Sequence, residues 1–218
     1  MRILNDILDL LFPPKCPFCR SILDTKEPLI CFECRKNIRK TKNGGKLKGN
    51  FFTACVSPLY YEDNVREALL RYKFHHLTSY ADPFGELLAE CISEYIDGQV
   101  DIISWVPLSR KRLRSRGYDQ AQLLANEVAK RLDLPCEPVL KKIKDTKPQS
   151  KTGSAEKRRA NISGAYQIIA PEKINRKNVL LIDDIVTTGS TFSECARMLG
   201  MAGAERVYCA AVARKRED

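Results

Sequence analysis

Residues 179–191 read V-L-L-I-D-D-I-V-T-T-G-S-T and run into an apolar-periodic stretch over residues 192–200. The aliphatic residues before the acids are unbroken by a polar side chain, the pattern of a strand buried on both faces of a parallel sheet. Asp183 and Asp184 then fall at its carboxyl end, where open α/β sheets place their ligands. Ionised carboxylates offer only acceptors, so the pair suits adjacent sugar hydroxyls. Thr187, Thr188, Gly189, Ser190 and Thr191 supply hydroxyls, a flexible glycine and free backbone N–H groups at a helix start, a combination that favours phosphate. A ribose 5-phosphate presents such a diol beside such a phosphate. Two other readings compete. In one, the segment is a buried strand and a capped helix, with Ser190 or Thr191 as a plain N-cap. In the other it is the acidic strand of a P-loop ATPase, which requires G-x-x-x-x-G-K-[ST], and the sequence has no such stretch.

A chain of 218 residues accommodates one α/β domain and a small appendage. The formal net charge of +10 points to an anionic partner, a phosphorylated small molecule or a nucleic acid, without choosing between them. Residues 1–11 interrupt their apolar pattern with Asn5, Asp6 and Asp9, so they read as a short amphipathic helix rather than a signal peptide. No run of about 18 apolar residues occurs. Without an export signal, the nine cysteines read as reduced thiols or metal ligands, and the expected location is cytoplasmic.

Cys16-x-x-Cys19 and Cys31-x-x-Cys34, separated by eleven residues, have the spacing of a structural Zn2+ site. Four thiolates leave no open position, which excludes catalysis at that metal. Residues 35–50 are rich in Lys and Arg and read as a nucleic-acid-facing arm or a solvated connector, directed away from the edge that carries residues 183–191. The expected domains are therefore residues 1–50 (amphipathic helix, zinc module, basic linker) and residues 51–218. Within the second, residues 52–61 read as a strand, 64–74 and 80–95 as helices, 101–108 as a buried strand and 119–132 as an amphipathic helix. Residues 135–140, 165–169 and 206–213 are further strands. His75 and His76 read as an exposed helix end.

The second informative stretch is S-R-K-R-L-R-S-R-G-Y-D-Q, residues 109–120, with five cations among residues 110–116. At a strand's carboxyl end it suits a pyrophosphate, whose oxygens arginine engages bidentately, and Gly117 permits close backbone approach. On charge alone a solvated basic loop reads equally well. Residues 141–159 form a long polar segment with eight cations and two acids, either an active-site lid or a basic loop without catalytic part.

The stretch 179–191 resembles the fingerprint of the type I phosphoribosyltransferases, which bind phosphoribosyl pyrophosphate. That likeness implies that Asp183 and Asp184 hold the ribose hydroxyls and Thr187, Thr188, Gly189, Ser190 and Thr191 the 5-phosphate. The order Val106, Pro107, Leu108, Arg112, Leu113, Arg114, Arg116, Gly117, Tyr118, Asp119, Gln120 resembles the signature of the ComF family of competence-associated phosphoribosyltransferase-like proteins. The same family pattern is matched by Asp145, Thr146, Pro148, Gln149, Arg158 and Asn161. The resemblance implies a mostly parallel sheet with helices on both faces behind a zinc-ribbon-like module, and a hood over residues 141–159. It implies Mg2+ bound with the sugar pyrophosphate, and a leaving group stabilised by Arg112, Arg114, Arg116, Lys144 and Lys151. Pro107, Leu108, Ser109, Gly117, Tyr118, Gln120 and Gln149 would complete the substrate site. It also implies a link to DNA uptake, with single-stranded DNA and a competence helicase as partners, and so an alternative role as a non-catalytic DNA-binding factor. The acceptor, any general base and the oligomeric state stay open.

Overall fold

An asparagine followed by eight aliphatic and acidic residues, Asn178–Val186, forms β6, one of two nine-residue inner strands of a five-stranded sheet. In the computed structural model, which describes residues 13–23, 29–145 and 164–216, every ladder of this sheet is parallel. The expected helix over residues 1–11 and the hood residues Gln149 and Lys151 lie outside the described residues. On one side β6 pairs with β7 (Arg206–Arg214), and on the other with β3 (Ile102–Trp105). The far side of β7 carries two short pieces end to end, β1 (Ala54–Val56) and β2 (Leu59–Tyr60).

Strand periodicity divides the core into two layers. Leu180, Ile182, Tyr208, Ala210 and Val212 face one apolar cluster. It is completed by α2 (Asp63–Phe74), α3 (Ala81–Tyr95) and α5 (Gln120–Leu132). Val179, Leu181, Val207, Cys209 and Ala211 face the other, against α6 (Ser190–Met201) and a hairpin of β4 (Leu140–Lys142) and β5 (Tyr166–Ile168). Helices on both faces of a parallel sheet explain why its strands read as continuous apolar runs.

Three expectations change. The strand expected over residues 52–61 is split at Ser57-Pro58, because proline brings no N–H to a ladder. Residues 165–169 do not rejoin the main sheet, since β5 pairs only with β4, antiparallel. The basic linker is not a connector directed away from the sheet. Lys40 bridges Leu59, Leu47 bridges Cys55, and Ser57 N donates to Gly44 O at 2.8 Å, so this segment lines the outer edge of β1 and β2. Covering an edge in this way satisfies backbone groups that would otherwise be exposed for pairing.

The candidate phosphoribosyl site and the thiol cluster

β6 outruns its neighbour. Val106 N donates to Ile182 O at 3.0 Å, after which β3 turns away towards α4 (Arg110–Arg116) while β6 continues to Val186. Asp183 and Asp184 are the first residues beyond that point, so they line a crevice between diverging strands, the place where open α/β sheets bind ligands. They lie in the carboxyl-terminal half of β6, which continues two residues beyond Asp184. Successive strand side chains alternate, so the two carboxyl groups start from opposite faces, yet they lie close enough to interact with each other. Asp184 lies on the α2 side, its buried Oδ2 2.6 Å from Lys73 Nζ. Asp183 lies on the β4 and α6 side, and Asp184 N donates to its Oδ1 at 2.8 Å. Burial first and then the adjacent Asp184 push the Asp183 carboxyl well above the usual carboxylate range, with Lys73 opposing.

The next turn builds the glycine-centred loop at the start of α6. Thr187 and Thr188 are exposed, and Gly189 takes φ 70 at the N-cap of α6, where any side chain is strained. Ser190 and Thr191 open the helix, whose first-turn amides have no intrahelical acceptor. Thr188 Oγ1 and Ser190 Oγ share a hydrogen bond of 2.8 Å. Hydroxyls, turn amides and a helix N-terminus thus converge as the sequence pattern requires. Lys48, Gly49, Asn50 and Phe51 of the linker border a cleft of 370 Å³ with Thr188 and Ser190.

The basic stretch, expected as a loop, is a two-turn helix, α4. Ser109 caps it by accepting from Arg112 N at 3.3 Å, and Gly117 ends it at φ 82. Helical geometry sorts its arginines, since residues four apart share a face. Arg112 and Arg116 line a 630 Å³ cleft with Tyr61, Lys73, Phe74 and Tyr118, whereas Arg114 is exposed and absent from that lining. Of the three arginines expected at the site, the fold brings Arg112 and Arg116 to this cleft and leaves Arg114 outside it. Arg112 Nε lies 3.7 Å from Asp145 Oδ1, to which Ser109 Oγ also donates at 2.7 Å.

Other expected site residues serve mainly as framework. Asp119 Oδ2 accepts from Leu108 N at 2.9 Å and its Oδ1 caps α5, which fixes the exit of the Pro107-Leu108 turn. Gln120 is buried, its side chain bonded to Arg116 and its carbonyl to the Tyr72 hydroxyl at 2.7 Å. Tyr118 donates back to Tyr72 O. Lys144 is exposed. His75 and His76 end α2 exposed, as expected, and His76 meets the Tyr118 ring edge-on at 5.9 Å.

Two lysines escape sequence reasoning. Lys73 looks like any cation in the last turn of a helix. Lys142, the last residue of β4, is half-buried over the Tyr166 ring at 5.2 Å. Burial and then Arg112 depress its pKa, while Asp183 opposes them. A strand ending beside Ser109 is the only signal for Lys142, and it comes from pairing. Carboxylate oxygens are the hard donors magnesium takes, and the partly exposed Asp183 fits such an ion with a ligand's own oxygens.

The second centre is the thiol cluster. Cys16, Cys19, Cys31 and Cys34 place their Sγ atoms within 4.8 Å of one another, which fits a tetrahedron with Zn–S bonds of about 2.3 Å. Arg20, at φ 67, turns the first knuckle, and Cys34 N points at Cys31 Sγ at 3.4 Å at the start of α1 (Phe32–Asn37). Burial works against the Cys19 thiolate, but hydrogen bonds from Ser21 bring it down to about 6, while burial pushes Cys34 up.

The chain matches a phosphoribosyl transferase domain over residues 119–218 and a double zinc ribbon domain over residues 7–44. Competence protein ComFC of Bacillus subtilis is 31% identical over 184 residues, 84% of this chain and 70% of that protein. Competence protein F of Haemophilus influenzae is 35% identical over 111 residues, 50% of this chain and 48% of the relative. The DNA utilization protein YhgH of Escherichia coli K12 is 31% identical over 113 residues, again 50% and 48%. The chain thus aligns with about half the length of these last two relatives. Among solved structures, an adenine phosphoribosyltransferase from Thermoanaerobacter pseudethanolicus aligns at a TM-score of 0.41 and 16% identity, covering 84% of this chain and 98% of that one.

Proposed function

Because the chain belongs to the ComF family, with a phosphoribosyltransferase-type domain behind a double zinc ribbon, we propose that it binds phosphoribosyl pyrophosphate with magnesium in the β6 crevice and transfers the phosphoribosyl group. The observation that carries this reading is the acid pair at the point where β3 leaves β6, followed at once by the Gly189 loop and the α6 N-terminus. Residues 1–50 would form the zinc module with its linker, and residues 51–218 the transferase unit.

In the reaction the anomeric C–O bond breaks and its electron pair leaves with pyrophosphate. Arg112 and Arg116, which line the 630 Å³ cleft, and the half-buried Lys142 are the cations that would hold that growing charge. The Gly189 loop fixes the 5-phosphate and the acid pair the diol, which orients the sugar for attack. Bound magnesium would add charge neutralisation at the pyrophosphate. In calorimetry, wild type should bind phosphoribosyl pyrophosphate with magnesium, and Asp183→Ala with Asp184→Ala should abolish binding. No heat at millimolar ligand would refute the assignment.

A second reading, a single-strand DNA-binding factor working without transfer, is favoured by the 630 Å³ cleft. Its rings Tyr61, Phe74 and Tyr118 stand among Lys73, Arg112 and Arg116, and the Arg116 guanidinium lies 5.2 Å from the Phe74 ring centre. Stacking platforms among cations are how single strands are held. Competence and DNA utilization in the relatives' names agree with a DNA-linked role. Affinity for single-stranded DNA that falls steeply with salt, with no release of pyrophosphate on any acceptor, would support this reading over transfer.

A further inference from the structure

Lys73 joins two features of the site that the sequence keeps apart. Its Nζ lies 2.6 Å from the buried Asp184 Oδ2, an atom that accepts no other hydrogen bond among the described residues. The side chains are only 23% and 5% exposed, so water screens this pair weakly. At the same time Lys73 lines the 630 Å³ cleft beside Arg112, Arg116 and Tyr118. Its backbone is held from both directions. Tyr72, the preceding residue, donates its hydroxyl to Gln120 O at 2.7 Å, and Tyr72 O accepts the Tyr118 hydroxyl. These two latches fasten the last turn of α2 to the segment that follows the basic helix, so the Lys73 ammonium is aimed at the acid pair by construction.

Two adjacent carboxylates in a crevice would on their own attract a divalent cation. An ammonium already seated on one of them removes half of that charge and blocks the inward oxygen. We propose that Lys73 is the resident counter-cation of the acid pair, so that a divalent metal enters only together with the phosphoribosyl ligand. On binding, the sugar diol and the metal take over the carboxylates. The released ammonium then swings into the cleft it already lines, beside Arg112 and Arg116, and meets the anionic end of the ligand. Lys73 touches the substrate in this scheme and exchanges one anionic partner for another, with no proton transferred.

The ligand half of this inference rests on the phosphoribosyl reading, and the metal half does not. The test uses the full chain and Mn2+ as the probe, free ion being counted by electron paramagnetic resonance. Wild type without sugar phosphate should bind Mn2+ at least tenfold more weakly than Lys73→Met, whereas Lys73→Arg should behave as wild type. Calorimetry with phosphoribosyl pyrophosphate and magnesium should show at least tenfold weaker binding for Lys73→Met. Thermal melts confirm that the variants are folded, and Lys73→Gln, which keeps a polar head, replaces the methionine variant should that one fail to fold. Equal Mn2+ affinities, or an unchanged ligand affinity in a folded variant, would overturn the proposal. Failure of wild type itself to bind the ligand would instead remove the phosphoribosyl reading, and the Mn2+ comparison would still decide the role of Lys73.

Discussion

Asp183 and Asp184 differ by one position in sequence and by one face of the sheet in space. Asp184 has the Lys73 ammonium against it, while Asp183 bears the cost of burial next to a second carboxylate. A raised folded-state pKa for an acid means that the folded protein holds a proton the unfolded chain releases, so stability declines as pH rises above the ordinary value of 3.8. Asp183→Asn should therefore stabilise the ligand-free protein at pH 7 while weakening sugar phosphate binding. The gain should shrink as pH falls towards 3.8, the ordinary value at which the unfolded chain also begins to hold that proton. Denaturant melts from pH 4 to 8 check this, and a gain that is constant across the series would show that charge is not its origin. The acid pair was legible because two acids after an aliphatic run stand out locally. Lys73 and Lys142 were not, because each acquires its meaning from a tertiary approach, of α2 in one case and of β4 in the other.

At the level of elements, the site exists because β3 and β6 part company after Trp105 and Ile182, β3 handing over to the Pro107 turn and α4, which stops at Gly117, and β6 to the Gly189 turn and α6. The strands β3, β6 and β7 and the helices α2, α3 and α5 are readable from apolar spacing. α4 was read as a loop because its five cations leave Leu113 as the sole apolar residue, and that side chain is exposed, so no periodicity could betray a helix. Its cap at Ser109 and its stop at Gly117 were the available signals. The two glycines make a contrast that tests this arrangement. Both have positive φ, and a Cβ at Gly117 would meet nothing within 4 Å, whereas at Gly189 it would come within 2.9 Å of Leu47 Cδ2. Gly117→Ala should cost about 1 kcal/mol of stability from backbone strain alone, with ligand affinity within about twofold of wild type. Gly189→Ala should cost more, because the linker must also give way, and should weaken ligand binding at least tenfold by reshaping the loop proposed to hold the 5-phosphate. Stability from urea melts and affinity from calorimetry would separate them, and the reverse ranking would refute the packing of the linker on the loop.

Across the whole molecule, the four-cysteine module is part of the main core rather than a separate attachment, something its spacing alone could not reveal. Cys16, Phe18, Leu23 and Ile30 belong to the same apolar cluster as Tyr72, Phe84 and Leu124. The Phe18 and Phe84 rings lie 5.9 Å apart, and Arg71 of α2 donates to Pro17 O at 2.9 Å and to Phe18 O at 3.2 Å. Arg35 reaches Glu86 and Glu90 of α3. A knuckle this small cannot hold its own shape without metal, yet here its collapse would expose one end of α2 and α3. The purified protein should carry about one zinc per chain, and Cys31→Ser should lose it. Because the module shares a core, that loss should lower the midpoint of a single cooperative transition by several degrees instead of melting a minor low-temperature phase. It should also weaken sugar phosphate binding, since α2 carries Lys73 to the acid pair. Metal analysis, scanning calorimetry and ligand titration of the same variant check the three outcomes together. A variant that loses zinc in a small separate transition, with the main transition and ligand affinity unchanged, would show that the module folds on its own and that the α2 contacts carry no coupling.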